Sequence, residues 1–417
     1  MKDNRLAPGR PAARLKKKEP RARAAFVTSF LYQDGDPYFA QVPDGGEEVA
    51  TEELRRLGAG EIKAGYRGLY FHAEREALYR ITYGALTVSR VLAPLIRFQC
   101  HSPEYLYQRA QSIEWPAIFT TRQTFAVFAT VANSTIRHSQ YAALTLKDAI
   151  VDQFRAQGGA RPSIEPHDPD LWINLYLHAN RATISLDLSG GSMHRRGYRV
   201  ESVEAPMQET VAAAMLAMSG WDGETPLVDP MCGSGTILCE ALMRYCRVPA
   251  AYLRPRPGLR SLPDYDRSAW ERVKGECDGA IRPLPEGLIR GSDASREAVR
   301  AARTNISRLP GGRAVQIECR RFEDIDRING ATIVTNPPYG VRIGRKDAMP
   351  DFVKGLGDFL KRRCAGSSAF VYFGDRELVK SIGLRTAFKK PLASGGLDGR
   401  VVKLEMFEGK QPRRGAD

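Results

Sequence analysis

An α/β fold, with a doubly wound sheet in the C-terminal half and smaller α+β units ahead of it, is what the sequence predicts, on three observations. Leu227, Val228 and Asp229 run into Pro230, Met231, Cys232, Gly233, Ser234 and Gly235 and then a helical stretch at 236–244, which reads as strand, glycine turn, helix. A second short strand, 288–292, ends in an acid, Asp293, ahead of another helical run. A third, 331–334, passes through Thr335 and Asn336 and is stopped by Pro337 and Pro338.

At 417 residues with 43% hydrophobic side chains, two or three domains are expected. No apolar run reaches the length of about eighteen residues that suggests a membrane span, and the basic N-terminus lacks the apolar stretch of a secretory signal. A cytoplasmic chain is therefore expected. The seven cysteines form no CxxC pair; Cys232, Cys239 and Cys246, evenly spaced, read as one helical face rather than metal ligands, so no metal is expected. A net charge of +14 points to a polyanionic partner.

In chain order, residues 1–24 hold nine Lys or Arg against Asp3 and Glu19 and almost no large apolar residues, the composition of a disordered basic arm. Either phosphate attraction or solubilisation suits it. Residues 25–98 alternate strands at 25–31 and 68–71 with helices at 47–57 and 74–82, a small α+β unit. Residues 99–187 carry strands at 124–131 and 171–177 around a helix at 141–156 and no acid, base or metal constellation, so they read as a binding module. Residues 188–200 form a crossover in which His194, Arg195, Arg196, Tyr198 and Arg199 cluster cations with a ring; RNA contact and a charged strand edge both fit. From 201 to 417 comes the doubly wound part, with a helix opening at Pro206 and Glu209, and a proline-rich, charged segment at 247–286 with one helix at 265–277.

The chemistry concentrates at the strand ends. Gly233 and Gly235 let the backbone approach a ligand at a helix N-terminus, but Leu238 stands where a dinucleotide fingerprint needs a third glycine. Asp229 can receive an ammonium or cap a turn. Asp293 can accept two ribose hydroxyls or cap the next helix. Beyond the third strand, the Asn336 side-chain oxygen and the Pro337 carbonyl form an acceptor-rich lip for the amine of a planar base, with the Tyr339 ring available to cover its face; an ordinary proline turn is the alternative.

The order DPMCGSGT, then the strand-end acid of GSDAS, then NPPYG resembles the class I S-adenosylmethionine-dependent amino-methyltransferases, which have a Rossmann-like sheet. The resemblance extends upstream. Ser134, Ile136, His138, Ser139 and Gln140, followed by Lys147 to Phe154, look like the THUMP RNA-binding domain of bacterial guanine-N2 ribosomal RNA methyltransferases, and residues 80–98 resemble their ferredoxin-like N-terminal part. It implies S-adenosylmethionine as cofactor, held by Pro206, Glu209, Asp229, Gly233, Gly235, Asp293, Phe322 and Asn336. Asn336, Pro337 and Tyr339 would be catalytic, and Ser134, His138, Ser139, Arg195, Arg196 and Tyr198 would contact RNA. Two departures stand out: Arg321 occupies a position where the family carries an acid, and Ser394, Gly395, Gly396 and Leu397 replace an asparagine-glycine pair.

The expected reaction is direct methyl transfer to a neutral amine, forming N2-methylguanosine in 23S ribosomal RNA. Transfer RNA guanine N2, adenine N6 and a non-catalytic RNA-binding role are the alternatives. Because the chain ends soon after the sheet should close, a single activity is expected, without the extra methyltransferase module some relatives carry.

Overall fold

The computed structural model describes residues 26–27, 29–203, 206–338 and 348–407. The basic arm and Tyr339 lie outside the described residues. Two sheets organise the chain.

The first is built by β1 (Tyr38–Gln41), α1 (Glu47–Arg56), β2 (Gly60–Gly65), β3 (Gly68–His72), α2 (Arg75–Gly84), β4 (Arg90–Gln99), α3 (Pro103–Ala110), α4 (Trp115–Ile118), β5 (Thr124–Ala132), α5 (Ser139–Gly158), β6 (Ser163–Ile164), β7 (Leu171–His178) and β8 (Arg181–Asp187). Its eight strands run β2-β3-β1-β4-β8-β7-β5-β6, so the two units expected from the sequence are one continuous sheet, joined where β4 pairs antiparallel with β8. The helices cover one face. Ala40, Leu54, Leu69 and Phe71 of the first unit and Leu146, Ile150, Ile173 and Leu175 of the second share a single core beneath them.

The described residues of the strand expected at 25–31 form no ladder; Val27 makes an isolated bridge to Ile113, and a turn follows. Phe30 and Tyr32 explain this. Both rings are buried, and Leu31 and Tyr32 donate to the carbonyls of Leu95 and Pro94 before Gly35, at φ +95°, turns the chain toward β1.

The second sheet is built by α6 (Glu209–Ser219), β9 (Leu227–Asp229), α7 (Thr236–Cys246), α8 (Arg267–Gly279), β10 (Ile289–Asp293), α9 (Arg296–Ile306), β11 (Gln316–Cys319), β12 (Thr332–Thr335), α10 (Met349–Arg363), β13 (Ser368–Phe373), β14 (Thr386–Pro391) and β15 (Arg400–Glu405). The strand order is β11-β10-β9-β12-β13-β15-β14, with β15 antiparallel between β13 and β14 and the strands from β11 to β13 parallel. Separate apolar clusters pack on its two faces, α6, α7 and α9 over one and α10 over the other, as a buried parallel sheet requires. Cys239 and Cys246 lie on α7, while Cys232 precedes it; all three are buried.

One helix departs from its own sheet. α8 packs against α2, and its Ala269, Trp270 and Val273 belong to the core of the first sheet. The Trp270 ring meets Tyr83 edge-on at 5.3 Å and Tyr79 at 6.3 Å, while Tyr83 donates to Asp278 at 2.7 Å and Tyr32 to Asp264 at 2.7 Å. The segment read as a charged loop is thus a clamp between the halves.

Candidate active site

Parallel pairing of β10, β9 and β12 sets Gly291 beside Asp229 and Ile333 beside Val228, so the three strands end together. Their ends carry Asp293, Asp229 and Asn336. Such a strand-end crevice, where neighbouring crossovers diverge, is where doubly wound sheets bind ligands.

Asp229 is 1% exposed and accepts from Met231 N at 3.1 Å and from the Thr335 hydroxyl at 2.7 Å. Burial pushes its carboxyl up to about 7; the two hydrogen bonds hold it down, and the nearby Asp293 adds to the rise. Asp293 braces the glycine turn: its Oδ2 accepts from Gly233 N at 2.9 Å and its Oδ1 from Ser295 N at 2.9 Å. The cap of α9 is Ser295, whose hydroxyl accepts from Ala298 N. Gly233 and Gly235 sit at φ +53° and +84°, and a Cβ on Gly235 would stand 3.0 Å from that of Ala302, so the turn needs glycine for both backbone angle and helix approach.

Pro206, Asp229, Gly233 and Asn336 line one narrow cleft together with Val203, Met207, Met231 and Thr236. The other expected ligands lie around it. Glu209 is buried and is not among the residues that line the cleft; it pairs at 3.0 Å with Arg199, which also donates to the Met207 carbonyl and the Thr236 hydroxyl. Phe322 is 4% exposed and packs edge-on against Phe352 and Phe359, outside the residues that wall the cleft; Arg321 is exposed and pairs with Glu323. Ser394 to Leu397 form a tight turn in which Gly395 and Gly396 take φ +55° and +88°.

The RNA expectations divide. Arg195, His138 and Ser139 are exposed, the last two at the start of α5. Ser134 spends its hydroxyl tying its loop to the β7–β8 turn, donating to Ala132 O and accepting from Asn180 N. Arg196 and Tyr198 are each 1% exposed, which corrects their reading as RNA contacts. The reason is Glu240 of α7, wholly buried, which takes two hydrogen bonds from Arg196, at 3.2 and 3.1 Å, and one from Tyr198 at 3.0 Å. A buried carboxylate needs that company.

Two residues that sequence reasoning missed hold the site. Thr335 fixes Asp229, and Asn305 of α9, 0% exposed, ties the crossover to the glycine turn by accepting from Val200 N and Glu201 N and donating to Glu201 O and Ser234 O. An asparagine on the apolar face of an otherwise amphipathic helix was the available signal.

Comparison with known proteins gives the arrangement its context. Residues 37–92 match the RlmL ferredoxin-like domain, 100–187 the THUMP domain and 196–403 the RMKL-like methyltransferase domain. The chain is 37% identical to slr0064 of Synechocystis sp., a protein named as an RNA methyltransferase, over 89% of this chain and 97% of that one. It is 38% identical to the ribosomal RNA large subunit methyltransferase K/L of Syntrophotalea carbinolica over 89% of its own length, but spans only 54% of that enzyme. The crystal structure of SMU.472 complexed with SAH superposes with a TM-score of 0.78 at 24% identity, covering 90% of this chain and 99% of that one, a likeness of fold. The chain belongs to the family of RNA methyltransferases in which an RlmL ferredoxin-like domain and a THUMP domain precede an RMKL-like methyltransferase domain.

Proposed function

We propose that this chain methylates the exocyclic N2 amine of a guanine in large-subunit ribosomal RNA, using S-adenosylmethionine, in the cytoplasm. Residues 25–187 hold the RNA, 188–200 connect, and 201–417 carry out the transfer. The observation that carries the reading is the shared cleft, in which Asn336 of the lip faces the same space as Asp229, Gly233 and Pro206.

The residues present fit the cofactor. Asp229 is a buried carboxylate with no cation among its hydrogen-bond partners in the described residues, which suits an arriving ammonium, and Asp293 has lone pairs left for two hydroxyls after accepting its backbone donors. When bound, S-adenosylmethionine supplies an electrophilic methyl group on a sulfonium. The protein's part is placement: the Asn336 oxygen and the Pro337 carbonyl accept from the amine and aim its lone pair, while Tyr339 stacks on the base. No strong base is needed, because the proton leaves after the methyl arrives. Arg195, His138 and Ser139 are the expected residues whose exposure suits them to contact RNA. Support for ribosomal RNA comes from the name of the 38% identical K/L enzyme.

The test is nucleoside mass spectrometry of ribosomal and transfer RNA from cells with and without the gene, paired with methylation of each RNA by the purified chain. Loss of N2-methylguanosine from large-subunit RNA alone is expected. Loss from transfer RNA, or loss of N6-methyladenosine, overturns the substrate.

A further inference from the structure

The face of the first sheet that the described residues leave uncovered carries a second, chemically distinct concavity. It crosses the β4–β8 joint and encloses about 380 Å³ between β3, β1 and β4 on one side and β8, β7 and β5 on the other. Neither matched N-terminal domain contains it alone.

Its walls are rings. Phe39 and Tyr70 meet at 5.0 Å, and the β2–β3 turn brings Tyr66, 63% exposed, to within 6.4 Å of His178 at 11° between planes; the Tyr176 ring lies 6.2 Å from the same imidazole at 14°. The close hairpin depends on Gly68, where a Cβ would stand 2.3 Å from the Phe39 ring. The floor is polar. Asn174 and Ser185 are each 4% exposed and line the concavity, yet neither side chain has a hydrogen-bond partner among the described residues. Their polar atoms open onto the cavity, where an amide and a hydroxyl can offer both donors and acceptors to a ligand. Arg67 and Arg97 are the charged residues lining it; Asp44 and Asp36 stand 3.7 and 3.1 Å from them.

We propose that this trough seats unpaired RNA bases, which stack on Tyr66, Tyr70 and Tyr176 and present their edges to Asn174 and Ser185, while Arg67 and Arg97 attract the adjoining phosphates. Flat rings, a hydrogen-bonding floor, two rim arginines with donors to spare beyond their aspartate neighbours and a chain of net charge +14 together select a single-stranded polyanion over an apolar peptide. A duplex is excluded by the same features, since its bases are already stacked and paired. The inference rests on the reading of the chain as an RNA enzyme and adds where a single-stranded part of the substrate is held.

The test is fluorescence anisotropy of the full-length chain with a short unstructured RNA and with a duplex of the same composition, alongside methyl transfer to ribosomal RNA on the same samples. Tyr66→Ala and Tyr176→Ala should each weaken single-strand binding roughly tenfold and leave the duplex unaffected, with Tyr176→Phe close to wild type. Arg67→Gln should lower the salt slope by about one. Asn174→Leu separates ligand binding from packing: it should weaken or re-rank base preference while the melting temperature holds, because the side chain it introduces is of similar size and no hydrogen bond to the described residues is lost. Unchanged single-strand affinity in these folded variants overturns the trough even if ribosomal RNA is methylated normally. So does a Tyr66-dependent self-association in sedimentation, which would make the face a contact between copies. If the rings bind RNA but no ribosomal RNA is methylated, the trough stands and the substrate reading falls.

Discussion

At the scale of single residues, the sequence exposed the chemistry that is local in the chain and hid the chemistry that is not. The Asn336 lip and the Gly233–Gly235 turn each lie within a few consecutive residues, and the structure brings them to one cleft. Arg196 and Tyr198 misled because the carboxylate that claims them, Glu240, is more than forty positions away on α7. Replacing Asn336 with Ala should leave cofactor affinity within a few-fold, since Asp229 and Asp293 remain, but lower single-turnover methylation about a hundredfold, the equivalent of roughly 3 kcal/mol of transition-state stabilisation. A rate near wild type would reduce the lip to a structural turn. Asp229 gives a pH signature. Its folded value of about 7 lies above the unfolded one, so the stability it confers is full below about pH 4 and is lost as pH climbs toward 7. If the cofactor's ammonium needs the ionised form, affinity should tighten between pH 5 and 7 by up to about tenfold per unit, and Asp229→Asn should bind weakly with a flat profile. Calorimetry across that range decides it.

At the scale of elements, periodicity located most of the helices but fewer than half of the strands among the described residues, because a helix shows its apolar face over many positions and a short strand over few. α5 began at Ser139 and β7 at Leu171, within two residues of expectation. What periodicity could not report was the destination of a face. The helix expected at 265–277 forms, yet the apolar side of α8 packs on α2 rather than on the sheet its neighbours build. The described residues of the strand expected at 25–31 teach the same lesson, since Phe30 and Tyr32 found partners in the core instead of a ladder. Trp270→Ala should cost about 3 to 5 kcal/mol by leaving a cavity between Tyr79 and Tyr83. Protease cleavage of the chain around α8 should accelerate ahead of global melting. Unaltered proteolysis and thermal stability would show that the helix is not a clamp.

At the scale of the whole molecule, two features were beyond a reading of composition: the fusion of the N-terminal units into one eight-stranded sheet, and the return of the C-terminal half to complete their core. Charge was legible, with half of the +14 lying in residues 1–24. Deleting that arm should weaken RNA binding and flatten its dependence on salt without changing which nucleotide is modified, as expected of sequence-independent phosphate attraction. An unchanged slope would leave it a solubilising tail. The clamp also has a consequence in time. Leu259, Leu262 and Trp270 sit in the core begun by Phe30 and Ala40, so that core stays incomplete until the chain has been synthesised well past its midpoint. Synthesis adds roughly 5 to 20 residues per second, which leaves the α2 surface uncovered for on the order of ten seconds on the ribosome. Contacts separated by nearly two hundred positions also slow closure after release. The nascent N-terminal half should therefore be a chaperone client until α8 arrives to cover it.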